Sequence, residues 1–316
     1  MIDKERKTCF NQTAAVAADR HHDPKGGERL RKNCRAGRLC ALLLAAALLL
    51  SLAGCGVIDA PVREETPFAG LEVTVFDAGK ADAILLTTPS SAVLIDCGKK
   101  GFGQTILQEL AVRGIEQIDV LILTHFDKDH IGGAAKVIEE TDVARVLQSG
   151  FPGDSGEYRK YLRALSAAGI EPETVRESLS FELDGVLYTV DPPQRESYDK
   201  DESNNSSLIV TAEHGDNRLL FMGDAETARI AEYLASSPAP CGFLKVPHHG
   251  QKEKLLDALL AAVRPQYAVI TCSVGEPEAA STAQLLEAAG TTTFLTRLGA
   301  VCVRSDGKTL SAEYIG

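Results

Sequence analysis

Tryptophan is absent from the 316 residues, methionine occurs only twice, and aromatic residues make up 5% of the chain. So few flat side chains leave the interior to the plentiful Ala, Leu and Gly, which suits an α/β protein with close helix-to-sheet packing. There are eight cysteines but no CxxC spacing, so neither a zinc finger nor a thiol metal cluster is written here. Collagen-like, coiled-coil and repeat patterns are missing too. An apolar fraction of 44% is nevertheless enough for a full core in a chain of this length.

Positive charge is scarce outside the N-terminal region. The net charge is −11, yet residues 1–55 hold ten Lys/Arg against five Asp/Glu, which leaves 23 basic and 39 acidic residues beyond Cys55. A balance this acidic gives no general attraction to phosphate backbones, so contact with nucleic acid would need a local basic patch. Small substrates stay open.

The basic cluster from Arg29 to Arg38 precedes a nearly unbroken Leu/Ala run of fourteen residues from Leu39 to Leu52. That layout is a signal peptide, since a bilayer span needs about 20 apolar residues. It ends in Leu52-Ala53-Gly54-Cys55, which resembles a bacterial lipobox with Cys55 as the lipidated residue. Residues 1–55 are therefore expected to be an N-terminal extension and lipoprotein signal peptide, 56–70 a linker, and 71–316 the folded domain. The implied location is outside the cell, anchored by lipid to the outer face of the cytoplasmic membrane; an uncleaved N-terminal membrane anchor is the alternative. Cys97, Cys241, Cys272 and Cys302 each sit near a strand-like segment, where buried thiols are the commoner reading and disulfides the other.

Short β-type runs at Leu71–Asp77, Ala83–Thr88 and Ala92–Asp96 predict an opening meander, followed by a helix over Gly103–Arg113 that ends at Gly114. Ile118 to Leu123 is apolar apart from Asp119, as in a strand buried on both faces. Strands and helices then alternate to the C-terminus, with strands expected at 144–148, 180–190 and 208–222 and helices at 157–168, 225–234, 255–263 and 281–289. Two β-rich halves with interleaved helices predict two packed sheets covered outside by helices.

At the end of the 118–123 strand stand His125, Asp127, Asp129 and His130, four potential ligands within six residues. Carboxylate and imidazole together suit borderline and hard divalent ions, and a loop after a buried strand holds them rigid. Their alternation lets His125 and Asp127 face one ion, with Asp129 and His130 facing a second. Gly132-Gly133 follows and permits close backbone approach.

The run Thr124-His125-Phe126-Asp127-Lys128-Asp129-His130-Ile131-Gly132-Gly133 resembles the signature of the metallo-β-lactamase superfamily, and Asp127 in place of a second histidine resembles the competence-protein ComEC/Rec2 subgroup. Leu94-Ile95-Asp96-Cys97-Gly98, Asn204-Asn205-Ser206-Ser207-Leu208, Leu220-Phe221-Met222-Gly223-Asp224-Ala225-Glu226 and Leu244-Lys245-Val246-Pro247-His248-His249-Gly250 are similar to further segments of that subgroup, in order.

The resemblance implies a four-layer αβ/βα sandwich, of class α/β (α+β), and a metal-dependent hydrolase. It implies two divalent metal ions, zinc or manganese, bound by His125, Asp127, Asp129 and His130 with Asp224 bridging. A late ligand comes from the His248-His249 pair, with His248 favoured and His249 the alternative. Asp96 would brace the ligand loop, one of Asn204, Asn205 and Ser206 would take the third-motif region, with Asn205 a supporting or alternative ligand, and Asp129 would also handle a proton as the catalytic residue. The chemistry implied is attack by a hydroxide between the metals on a phosphodiester of a nucleotide or nucleic acid. Ester, lactone or β-lactam hydrolysis, or a binding lipoprotein without turnover, are the alternatives. The implied partners are that substrate and a membrane through the lipid anchor, with no protein partner evident.

Departures stand beside this. Gln251-Lys252-Glu253-Lys254 replaces the subgroup's serines, Gly275-Glu276-Pro277 replaces a Gly-His-Pro, and His214 is the one candidate for a third-motif histidine.

Overall fold

The structure, a computed structural model, describes residues 68–315. Cys55 and the Leu39–Leu52 run lie outside them, as does most of the linker. Among the described residues no helix is long and apolar enough to cross a membrane.

The chain opens with an antiparallel meander, β1 (Leu71–Val75), β2 (Ala83–Thr87) and β3 (Ala92–Cys97), and helix α1 (Gly103–Arg113) follows. Gly114 ends α1 in the left-handed region with its amide on the last carbonyls. Next come β4 (Gln117–Ile118), β5 (Val120–Leu123), α2 (Lys128–Ile131), α3 (Ala134–Glu140), β6 (Asp142–Val143), β7 (Val146–Gln148), α4 (Gly156–Ala168) and β8 (Glu173–Thr174). The second half contains β9 (Leu179–Leu183), β10 (Val186–Asp191), α5 (Glu202–Asn205), β11 (Ile209–His214), β12 (Asn217–Phe221), α6 (Thr227–Ala235), β13 (Phe243–Lys245), α7 (Leu256–Val263), β14 (Tyr267–Ile270), α8 (Ala280–Ala288) and β15 (Thr292–Leu295). The chain then returns to the first sheet through β16 (Ala300–Ser305) and β17 (Leu310–Ile315).

One sheet runs β17-β16-β1-β2-β3-β5-β7-β8 and the other β15-β14-β13-β12-β11-β10-β9. Three apolar clusters show how they stack. Val73, Ile84, Ile95 and Ile122 from the first sheet meet Val210, Leu219 and Phe221 from the second in the central layer. The intervening residues Leu85, Leu94, Leu121 and Leu123 turn outward under α1, α3 and α4. On the far side Leu220, Leu244 and Ile270 lie under α6, α7 and α8. Alternation along strands buried on both faces thus produces a helix–sheet–sheet–helix sandwich.

The strand expected over 118–123 is broken at Asp119, whose carboxylate accepts the Ala92 amide at 2.8 Å. Ile118 pairs in a separate two-stranded sheet of β4 and β6, and the strand expected from Ala144 starts at Val146 because Ala144 donates to the Ile118 carbonyl. Cys97, Cys241, Cys272 and Cys302 are buried free thiols, so the disulfide alternative is set aside.

Candidate metal centre

The expected ligand loop is only partly a loop. After β5, Thr124 to Asp127 carry no regular structure and Asp127 is extended, but His130 and Ile131 both donate to the Asp127 carbonyl, so Lys128–Ile131 forms one helical turn. Four such residues have little helical stability of their own; tertiary packing holds this turn. Asp82 donates its amide to the Asp129 carbonyl at 3.1 Å, and Gly132 packs against the Lys99-Lys100 backbone. A methyl group at Gly132 would stand 2.2 Å from the Lys100 nitrogen and 2.4 Å from the Lys99 carbonyl carbon. Neither can yield cheaply, so Gly132→Ala is expected to cost about 3 kcal/mol or more of stability, checked by urea unfolding.

Asp96 lies at the end of β3, fully buried and held at φ 56°, a conformation disfavoured for a residue with a side chain. Its carboxylate accepts from the Thr124 amide at 2.8 Å, the Thr124 hydroxyl at 2.7 Å and His130 Nδ1 at 2.8 Å. Because Thr124 Oγ1 donates to Asp96, it is free to accept from His125 Nδ1, 3.1 Å away. One carboxylate therefore aims both imidazoles of the ligand loop.

Asp224 follows β12 and the left-handed Gly223. Its amide donates to Ser207 Oγ at 3.1 Å, its Oδ1 stands 3.3 Å from His130 Nε2, and its Oδ2 stands 3.2 Å from His249 Nε2. His249 Nε2 also lies 3.4 Å from an Asp129 carboxylate oxygen. Asp129, His130, Asp224 and His249 thus offer ligand atoms all within 4.8 Å of one another. His125 flanks this group, its ring centroid 4.1 Å from that of His130, and its Nε2 lies 3.8 Å from Asp127.

His125 Nε2, His130 Nε2, His249 Nε2 and Asp224 Oδ1 are all buried without a hydrogen-bond partner. Unpaired buried polar atoms are costly and rare, and four of them converging among carboxylates fit divalent metal binding. As protein groups alone they are strongly coupled. Burial pushes His125 down to about 4, with the neighbouring His130 acting in the same direction. Burial works the same way on His130, but Asp224 and Asp96 override it and raise that imidazole well above its usual range. For His249, burial is outweighed by Asp224 and Asp82, which push it up to about 10. Burial would raise Asp129, but the adjacent His249 and His130 imidazoles hold it down to about 2.

Two expectations need correction. His248 does not face the centre: its Nδ1 lies 3.1 Å from Glu253 and 3.4 Å from Glu226, and His249 takes the place assigned to it. Both residues have positive φ, 49° and 52°, and this left-handed turn sends His249 inward and His248 toward the rim. Asn205 is no neighbour of the ligands. Its amide donates to the carbonyls of Lys200 and Asp201 and its oxygen accepts the Arg229 amide, so it ties α5 to α6. His214, the one candidate for a third-motif histidine, ends β11, contacts Ser305 Oγ at 2.9 Å and is not among the gathered ligands. Asp127 lies 44% exposed and accepts from Ser203 Oγ on α5.

Asp82, Lys245 and Thr271 beneath His249, and Ser207 between His125 and Asp224, were not singled out from the sequence. Lys245 carried a signal, since a charge inside a short apolar strand that proves fully buried requires a partner. A cavity of about 570 Å³ opens beside the cluster, lined by Phe126, Asp127, Lys128, Asp129, Phe151 and Ser203 among others.

A four-layer sandwich with imidazole and carboxylate ligands gathered where the strands end defines a class. Residues 77–273 match the model of the Metallo-beta-lactamase superfamily, and the chain belongs to that superfamily. Its sequence relatives are of ComEC/Rec2 type. ComE operon protein 3 of Bacillus subtilis is 30% identical over 220 residues, which cover 63% of this chain and 28% of that protein. Recombination protein 2 of Haemophilus influenzae is 26% identical over 211 residues, covering 65% and 25%. The chain therefore spans about a quarter of the length of these relatives. Among solved structures, the metallo-beta-lactamase fold protein YhfI from Bacillus subtilis has a TM-score of 0.51 at 9% identity, covering 77% of this chain and all of the other. CmlA, a diiron beta-hydroxylase from Streptomyces venezuelae, has a TM-score of 0.50 at 15% identity, covering 76% and 55%. At these identities the likeness concerns the fold. Fold and converging ligands together support a metal-dependent hydrolase.

Proposed function

We propose that this domain hydrolyses phosphodiester bonds of a nucleotide or nucleic acid, using two divalent ions, zinc or manganese. The observation that carries the reading is the set of four unpaired buried atoms on His125, His130, Asp224 and His249. In this reading Asp129, His130 and His249 hold one ion, His125 and Asp127 the other, and Asp224 reaches both. Ions bound there would lower the pKa of a water ligand toward 7 and polarise the scissile group.

The chain's own residues do the rest. Asp96 fixes both imidazoles of the ligand loop. Asp129, one-third exposed at the cavity floor, is held ionised. A carboxylate near 2 is a weak base, so Asp129 would orient the attacking water more than store its proton.

One observation favours a phosphodiester over an ester, lactone or β-lactam. The relatives carry the names recombination protein and competence protein. Export and lipid anchoring through Cys55 belong to the same proposal, supported by the Leu52-Ala53-Gly54-Cys55 sequence. Cys55→Ala should release the protein from the membrane.

The purified chain is expected to retain zinc or manganese and to cleave a bis-aryl phosphodiester or single-stranded DNA, with loss of turnover on chelation. A preparation reconstituted with either metal that hydrolyses only lactone or β-lactam substrates overturns the substrate assignment. One that binds no metal at all overturns the centre.

A further inference from the structure

Lys245 and Asp82 form a fully buried ion pair, Nζ to Oδ2 2.7 Å, with side chains 0% and 1% exposed. Burying both charges has a desolvation cost that their attraction barely repays, and apolar replacements of such pairs are often no less stable. Fold stability is therefore a weak reason for this pair to exist. Its location offers a better one. Lys245 ends β13 in one sheet and Asp82 immediately precedes β2 in the other, so the pair joins the two sheets directly beneath the ligands.

Each partner touches backbone or side chain next to a ligand. Asp82 donates its amide to the Asp129 carbonyl at 3.1 Å. Lys245 Nζ donates to the Val246 carbonyl at 3.0 Å and approaches the carbonyl of Gly223, the residue before Asp224, at 3.5 Å. Asp82 Oδ1 accepts from Thr271 Oγ1 at 2.6 Å. With its single hydrogen given to Asp82, the Thr271 hydroxyl can only accept from His249 Nδ1, 2.9 Å away. That keeps a ring proton on Nδ1, so the proton released on metal loading is the one on Nε2, whose lone pair then faces the cluster.

The same chain of groups occurs a second time in the centre. His125 Nδ1 donates to Thr124 Oγ1, which donates to Asp96. Imidazole, threonine, buried aspartate is thus built once in each sheet, and in the second instance the aspartate comes from the opposite sheet and needs Lys245 to balance it.

We propose that Asp82, with Lys245 as counter-ion and Thr271 as relay, is a positioning group that sets the tautomer and orientation of His249 and couples the ligand loops of the two sheets. The proposal rests on the reading of His249 as a metal ligand.

The test compares Lys245→Met, Asp82→Asn/Lys245→Met and Thr271→Val with the wild-type chain. Three quantities are read for each: the urea midpoint of chelated protein, zinc affinity by competition with a chromophoric chelator, and the absorption spectrum of the cobalt-loaded form. Lys245→Met, which leaves a buried carboxylate unpaired, should lower the urea midpoint. The neutral double variant should recover that midpoint yet bind zinc about 10–100-fold more weakly, as when a ligand's hydrogen-bond partner is lost, and show an altered cobalt spectrum. Thr271→Val should weaken zinc binding with little change in midpoint, and it decides the matter if the double variant fails to fold. Wild-type zinc affinity and an unchanged cobalt spectrum in the double variant or in Thr271→Val would overturn the positioning role while leaving the metal centre standing. A wild-type chain that takes up neither zinc nor cobalt would overturn both.

Discussion

His249→Ala is expected to weaken metal binding by at least about 100-fold, beyond what losing a ligand's outer partner costs, and to lower hydrolysis by roughly 10³-fold, the scale of losing one preorganised electrostatic group. His248→Ala is expected to leave metal content unchanged. The contrast follows from two consecutive residues with opposite surroundings. His249 is fully buried, with Nε2 3.2 Å from Asp224 and 3.4 Å from Asp129, and its other nitrogen is engaged by Thr271. His248 is partly exposed and lies between Glu226 and Glu253. Alanine at 249 leaves Asp224 Oδ2 and the Asp129 carboxylate without their shared imidazole. Alanine at 248 frees two carboxylates that water can reach. Metal content of the two purified variants, measured beside steady-state rates, checks this; retention of full metal by His249→Ala together with loss in His248→Ala would reverse the assignment.

The choice between those histidines was hidden in the sequence because a two-residue left-handed turn breaks any periodicity that would assign faces. What was legible came from local patterns. An apolar run marked β5 and short β-type runs marked β2 and β3, since a strand buried on both faces needs apolar residues at nearly every position. Ligand density alone drew attention to His125–His130, and Gly114 marked the end of α1. What was not legible depends on contacts remote in sequence. Asp82 lies 163 residues from Lys245 and 189 from Thr271, and in the sequence it reads as one more polar residue of a turn. Asp119 looks like an interruption in an apolar run until its carboxylate is seen accepting the Ala92 amide. Asn205 shares its neighbourhood in sequence with Ser207, but α5 turns Asn205 toward Arg229 while Ser207 reaches His125 and Asp224.

Raising the pH from about 6 to about 9 is expected to destabilise the chelated protein and, over the same range, to tighten metal binding steeply. His130 and His249 have folded-state pKa values raised above the ordinary 6.5, His249 to about 10, against the opposing effect of burial and because Asp224 and its neighbours hold the charge in place. A raised pKa contributes stability that is complete below the unfolded value and is lost as pH climbs through the folded one. The contribution therefore fades from about 6.5 upward. Asp129 and Asp224 behave oppositely: burial works to raise them, the adjacent imidazoles hold them low, and their contribution is present above about 4 and lost only as pH falls through their folded-state values, about 2 for Asp129 and well below the usual range for Asp224. The chelated protein should be most stable between those limits. A metal ion can bind His130 and His249 only through deprotonated nitrogens, so loading near neutral pH must release both protons. Affinity should then rise by up to about 100-fold per pH unit, tenfold for each proton displaced. Calorimetric titrations in buffers of different ionisation enthalpy would count those protons, and urea midpoints with and without chelator would give the two opposing slopes. A pH-independent affinity, or a chelated protein that grows more stable from about 6 to about 9, would show that the imidazoles are not held protonated by the carboxylates around them.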